Sequence, residues 1–189
     1  MLYRISAVIV RFFLRTFFKL EIEGADCFPK RGPFILASNH ASFLDPPTVA
    51  SCSPRKLSTI ARDDLFNNKI LGFYMKRVGA IPLKRDSADI GALKQALRIL
   101  KTSPLLLFPQ GGRTTDLGKA KAGIGFLCRK AGVPVIAVRV YGTDVVLPKG
   151  AKFFRKGKIK VIFSKVDNIE KNDTNEGITS KVMERIKSL

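Results

Sequence analysis

The chain has 189 residues, 46% of them apolar and 26% charged, the length and balance of one folded domain and not of a disordered segment. Lysine and arginine number 34 against 15 acids, a net charge of +19, which selects anionic partners: nucleic acid, an anionic membrane face or phosphorylated substrates. Three cysteines far apart argue against a disulfide framework and fit a reducing compartment, and the single histidine excludes a multi-histidine metal centre.

Residues 1–20 predict a helix whose only charges are Arg4, Arg11, Arg15 and Lys19. At ~100° per residue these four fall within about 80° of one another on a helical wheel. A spanning helix is disfavoured, because Arg11 sits mid-segment, where insertion costs ~2.5–3.5 kcal/mol. A secretory signal is disfavoured too, since no small-residue cleavage site follows. A basic stripe opposite a Phe-rich face describes an interfacial helix in the headgroup layer. The competing reading is a helix packed on its own domain with its cations in water. The expected division is therefore an amphipathic, membrane-associating helix over 1–19 and a second unit over 20–189.

The next elements alternate between strand and helix. Residues 34–37 predict a strand, followed by a turn and a helix from about Pro46. Residues 57–61 and 79–83 predict further strands. Between 86 and 101, Ile90, Leu93, Leu97 and Leu100 recur at spacings of three and four, an amphipathic helix. The apolar run 104–108 predicts a strand buried on both faces. A helix over 119–131 ends at Gly132, a favourable residue just past a helix end. Residues 133–141 form the strongest strand pattern, and 158–163 alternate like a half-buried strand. A last helix covers about 175–189. Around 158–163 lies a second basic block, Lys149, Lys152, Arg155, Lys156, Lys158, Lys160 and Lys165, with Phe153 and Phe154 inside it. No RNA-recognition motif accompanies it, so a solvated or membrane-facing surface is the better reading. The alternation predicts a single α/β domain with a largely parallel or mixed sheet flanked by helices, its site in loops at the carboxyl ends of strands.

Two polar segments fall in such loops. Ser38 to Pro47 holds His40 and Asp45. An imidazole takes a proton from an alcohol, and a carboxylate on its second nitrogen fixes the tautomer. The alternative is structural: Asp45 before Pro46 reads as a helix cap with proline at the first helical position. Ser42 is poorly placed for a Ser–His–Asp triad, being two residues from His40 on one short loop. In Phe108-Pro109-Gln110-Gly111-Gly112-Arg113-Thr114, two glycines admit an anion to the backbone, and Arg113 offers a fork that matches phosphate. The spacing is not that of a P-loop, and Gly123-Ile124-Gly125 lacks the third glycine of a dinucleotide fingerprint. A glycine turn with a surface arginine is the plain alternative.

Taken in order, these segments resemble the glycerolipid acyltransferases, the 1-acylglycerol-3-phosphate acyltransferase family. Asn39-His40-Ala41-Ser42-Phe43-Leu44-Asp45 resembles its NHxSxxD block, and Gly79-Ala80-Ile81-Pro82-Leu83-Lys84-Arg85 its second block. Residues 108–114 resemble its FPEGxRS block, and 133–138 its proline-containing fourth block. The resemblance implies that His40 is a general base oriented by Asp45. The acceptor oxygen would attack the thioester of acyl-CoA or acyl-carrier protein directly, with no cofactor and no metal. Substrate binding is implied for Lys84, Arg85, Gln110, Gly111, Gly112, Arg113 and Thr114, of which Arg85, Arg113 and the Gly111–Gly112 backbone would hold the acceptor's phosphate. The implied reaction makes phosphatidic acid from lysophosphatidic acid, with glycerol 3-phosphate or another lysophospholipid as alternative acceptors. The rival class is a non-enzymatic basic protein binding membranes or nucleic acid; nucleic acid is not expected.

The expected location is the cytoplasmic face of a membrane, peripheral or monotopic, for a chain close to a bare catalytic domain. Two departures stand out: Gln110 replaces the family's acid and Thr114 its serine. Lys84 adds a cation beside Arg85.

Overall fold

A computed structural model describes residues 1–83, 90–118, 120–121, 123–170 and 172–189. The chain opens with helix α1 (Leu2–Phe18) and a short strand β1 (Glu21–Glu23), followed by strand β2 (Ile35–Ser38) and helix α2 (Asp45–Cys52). Strand β3 (Ser58–Arg62), helix α3 (Lys69–Arg77), strand β4 (Ala80–Leu83) and helix α4 (Ile90–Ile99) come next. Strand β5 (Leu105–Leu107), helix α5 (Gly123–Ala131), strand β6 (Val135–Tyr141) and the short helix α6 (Thr143–Val146) carry the second polar loop and its neighbour. Strand β7 (Lys160–Lys165) and helix α7 (Asn175–Ser188) close the chain.

The strands form one seven-stranded sheet in the order β1-β7-β6-β2-β5-β3-β4. Neighbours are parallel except β6 and β7, which run antiparallel, so the sheet is mixed. Side chains alternate across a strand, and both faces are covered here. Leu36, Leu106, Ile136 and Val138 join Leu14, Phe18, Val49 and Cys52 beneath α1 and α2. Ile35, Ala37, Leu105 and Ala137 pack against Ala96, Ile124, Leu127, Ile178 and Val182 of α4, α5 and α7. The central strands read as unbroken apolar runs because neither face meets water.

The elements β1, α3 and the short α6 have no counterpart in the sequence reading. In α3 only Gly72 is buried, so its apolar residues add nothing to the core; its start is fixed by Asn68, whose Oδ1 accepts from the amides of Ile70 and Leu71, both at 3.0 Å. Strand β1 has charged ends and pairs only with β7. Helix α5 begins at Gly123, later than position 119.

Helix α1 presents two apolar faces. Leu14 and Phe18 enter the core, while Leu2, Ile5, Val8, Ile9, Phe12 and Phe17 are exposed. Arg11 leaves the solvent stripe expected of it. Its guanidinium donates to the Ser51 carbonyl through Nε at 2.6 Å and also through Nη2. The Tyr3 hydroxyl donates to the Ala50 carbonyl at 3.3 Å. Both satisfy carbonyls that the last turn of α2 leaves without helical partners. Among the described residues no helix is long and apolar enough to cross a membrane.

Candidate active site

Strands β6, β2 and β5 lie side by side and parallel, so the loops leaving their carboxyl ends converge on one edge. Asn39 extends this register with its side chain: Oδ1 accepts from the Val140 amide at 2.7 Å and Nδ2 donates to the Val140 carbonyl at 2.9 Å. The loop that carries His40 therefore leaves β2 in a fixed direction.

Asp45 is wholly buried and opens α2, with proline at the next position. The cap itself falls on Leu44 with no side-chain bond, and the Asp45 carboxylate turns back toward the loop instead. Its Oδ2 accepts from the amides of Ala41 and Ser42, both at 2.7 Å, and from His40 Nδ1 at 2.9 Å. Its Oδ1 accepts from the Thr143 hydroxyl at 2.5 Å. A carboxylate that receives amide hydrogens requires the proton of the His40 contact to sit on Nδ1, which leaves the Nε2 lone pair to accept a proton. The imidazole side chain is 16% exposed and stacks on Phe108, with ring centroids 4.3 Å apart. Ser42 Oγ donates to the Leu147 carbonyl at 2.8 Å and is buried, which removes it from nucleophilic duty.

The second loop binds the first. Gln110 Oε1 accepts from the His40 amide at 2.7 Å, and the Thr114 amide donates to the His40 carbonyl at 2.8 Å. Gln110 Nε2 donates to the carbonyls of Asp116 (2.9 Å) and Thr114 (3.3 Å), so every bond seen for this side chain goes to protein. The Thr114 hydroxyl accepts from the Asp116 amide at 3.0 Å. Gly111 has φ 68°, a conformation that favours glycine, and a Cβ there would meet Lys121 Cε at 2.6 Å. Gly112 faces open space. The Arg113 guanidinium carbon lies 3.4 Å from the centroid of the exposed Phe43 ring. Stacking uses the face of the guanidinium and leaves its in-plane donors for an anion. Lys84 and Arg85 lie outside the described residues.

The sequence motifs did not point to Thr143, which anchors Asp45 from a position 98 residues away in sequence. Its one local sign is Gly142 (φ 80°), which turns the chain from β6 into α6. Phe43, stacked on Arg113, and Lys121, beside Gly111, were also not singled out by the sequence. Burial also favours the neutral form of the cysteine thiols. Burial pushes the Cys52 thiol up to about 11 and the Cys128 thiol up to about 12.

These loops bring together a histidine hydrogen-bonded to a buried carboxylate and, tied to it through the His40 backbone, a glycine turn that carries an arginine. A family model described as acyltransferase matches residues 19–141. The chain is 33% identical over 156 residues to the chloroplastic 1-acyl-sn-glycerol-3-phosphate acyltransferase LPAT1 of Arabidopsis thaliana, spanning 79% of this chain and 44% of that protein. It is 25% identical to the 1-acyl-sn-glycerol-3-phosphate acyltransferase of Bacillus subtilis, over 76% of this chain and 71% of that one. The fold matches the crystal structure of the 1-acyl-sn-glycerophosphate acyltransferase PlsC of Thermotoga maritima with TM-score 0.81 and 23% identity, covering 98% of this chain and 77% of that one. The chain belongs to the acyltransferase family, and it spans less than half the length of the plant relative.

Proposed function

We propose that the protein transfers a fatty acyl group from an acyl thioester to the free hydroxyl of lysophosphatidic acid, giving phosphatidic acid. The observation that carries this reading is the 2.9 Å contact between His40 Nδ1 and the buried Asp45, tied through the His40 backbone to the loop of Gly111, Gly112 and Arg113. His40 Nε2 takes the proton from the acceptor hydroxyl as its oxygen attacks the thioester carbonyl carbon. The tetrahedral intermediate collapses, the C–S bond breaks, and the leaving thiolate receives the proton from the imidazolium. Asp45 holds the ring and stabilises its positive charge. Arg113 and the backbone of Gly111 and Gly112 bind the acceptor's phosphate, joined by Lys84 and Arg85. The acceptor named by the relatives is of this kind, and all those quoted are named for acylating a glycerophosphate.

The reaction takes place at an anionic membrane surface. Helix α1 turns Ile5, Ile9 and Phe12 outward, with Phe12 70% exposed. The late basic block meets the same helix: the ring of Phe154 lies 5.6 Å from Phe13 and 5.7 Å from Phe18. Exposed Phe153 and Phe17 extend this surface, and Arg15, Lys19, Lys152, Arg155 and Lys156 supply the charge to hold anionic headgroups. We place it on the cytoplasmic leaflet, the anionic and reducing side, which suits three free cysteines.

The deciding assay gives purified protein a panel of lysophospholipids and glycerol 3-phosphate, with acyl-CoA or acyl-carrier protein as donor. The expected result is phosphatidate from lysophosphatidate, with a His40→Ala variant reduced by about 10²–10⁴-fold, the usual contribution of a general base. Product formed by that variant at the wild-type rate overturns the reading.

A further inference from the structure

We propose that helix α3 is a second membrane-contacting element, whose outward face enters the headgroup layer of an anionic bilayer beside α1. A surface helix ordinarily turns its apolar stripe to the core, and α3 does the reverse. Its one buried residue is Gly72, pressed on the turn before the helix so closely that a Cβ there would meet the Phe66 carbonyl oxygen at 2.6 Å. Ile70, Phe73, Tyr74 and Arg77, at spacings of three and four, share the opposite face. Ile70 is 84% exposed and Phe73 59%, and the Arg77 guanidinium carbon lies 4.7 Å from the centroid of the Phe73 ring. Lys69 and Lys76 are exposed near the two ends of the helix, and the sequence holds no acid between Asp64 and Asp86. Large apolar side chains accompanied by cations are the composition of a helix that lies in the interface of an anionic membrane.

Topology puts α3 on the side of the sheet that carries α1. The crossovers β2–α2–β3 and β3–α3–β4 advance in the same direction across the sheet, and right-handed crossovers that advance one way cover one face. Helix α2 packs with α1 on that face through Val49 and Cys52, whereas α4 and α5, which serve crossovers in the reverse direction, cover the other. A direct link agrees with this placement. The Lys56 ammonium lies 5.9 Å from the centroid of the Tyr3 ring in the first turn of α1. Its Cε is 3.6 Å from where a Cβ on Gly79 would sit, two residues beyond α3. The end of α3 and the beginning of α1 are thus neighbours across Lys56, so one bilayer can meet both. This continuity, with Ile70 and Phe73 at the centre of the face, selects lipid over an acidic carrier protein.

The proposal rests on the reading that α1 meets the membrane, and the test separates the two. The chain has no tryptophan, so one substitution installs a single reporter. Phe73→Trp and, separately, Phe12→Trp are mixed with vesicles of phosphatidylethanolamine and phosphatidylglycerol, without acceptor or donor. The expected result is a blue shift of Phe73→Trp emission and its quenching by lipids brominated on the acyl chain. Ile70→Ser, a change at an exposed site that leaves the fold intact, weakens sedimentation with the same vesicles by about tenfold. Unchanged Phe73→Trp emission beside a shift in Phe12→Trp overturns the proposal and leaves α1 as the contact. A shift in Phe73→Trp alone supports it and overturns the reading of α1 instead, and no shift in either overturns both. A shift produced by acyl-carrier protein or by raised protein concentration, and not by vesicles, overturns the proposal in favour of a protein partner.

Discussion

The loop around His40 and the outward face of α1 are built on opposite principles. The loop is saturated. Asp45 accepts four hydrogen bonds, Asn39 makes two with Val140, and His40 is held at both backbone groups. The helix face is bare, with Ile5, Ile9, Phe12 and Phe17 in water. What joins them is topology. The Ile159 amide donates to the Phe18 carbonyl at 3.0 Å, so α1 ends beside the start of β7. Since β7 opposes β6, that start lies where β6 delivers Thr143. The difference teaches a contrast in construction: a buried polar network fixes an imidazole in one position, and exposed apolar surface is left available for contact. Substitutions in the first should damage chemistry and stability together, and those in the second should damage only docking.

The largest effect within this comparison is expected at Thr143. Hydrogen bonds to charged groups contribute about 1.5–3 kcal/mol, and Thr143→Val leaves Asp45 Oδ1 without its hydroxyl. Activity should fall by between about tenfold and a hundredfold and the melting temperature by several degrees, while Thr143→Ser retains most of both. Steady-state kinetics with calorimetry checks this. If activity fell and stability held, the network would serve chemistry alone and the contrast with α1 would lose half its basis.

Much of this site was legible in the sequence because its parts are local. His40 and Asp45 share one tight loop, and Gln110 to Thr114 follow a run of leucines that announces a buried strand. The central strands were equally plain, since burial on both faces leaves no polar residue to blur the pattern. What escaped depends on contacts across the fold. Thr143 reaches Asp45 only because β6 lies next to β2. Arg11 looked like one more cation on a basic stripe and proved to cap the carbonyl of Ser51, a position set by the packing of α1 on α2. Gln110 read as a departure from a family acid, and only the fold shows its amide bonded to the His40 N–H on one side and to two carbonyls on the other. Helix α3 carries Ile70, Phe73 and Tyr74 at helical spacing but buries none of them, so it stands apart from the core-facing pattern that marks the other helices.

The second effect separates docking from chemistry. Removing the helix would not, since Leu14 and Phe18 belong to the core; single changes on the outward face do. A large apolar side chain moved out of water gains about 1.5–3 kcal/mol when fully buried. Phe12→Ser and Phe153→Ser should each weaken binding to vesicles rich in anionic lipid by about tenfold. Turnover of a short-chain, water-soluble lysophosphatidate should stay within about twofold of wild type in both variants. Sedimentation with vesicles and a solution assay give the two readings. Equal losses in both would mean that the exposed face shapes the site itself, and the two regions would no longer be distinct.

The smallest expected effect is at the cysteines, and it tests whether a covalent acyl-enzyme has any place here. Cys52 lies under α1 and Cys128 on the opposite face of the sheet, and burial raises both thiols, to about 11 and about 12. Half-buried Cys27 is raised as well, by burial first and then by Asp26. An acid whose folded pKa is raised is neutral below its unfolded value, so the neutral thiols favour the fold up to about pH 8.5, and this contribution is lost as pH climbs toward the folded values. Thiolate, the reactive form, is therefore scarce at neutral pH in the folded protein. Iodoacetamide near pH 7.5 should leave activity within about twofold of the untreated enzyme, with modification by mass spectrometry slow until denaturant is added. Rapid inactivation at one modified cysteine would place a nucleophile where the geometry offers none, and would transfer the reaction from direct attack by the acceptor to a two-step route.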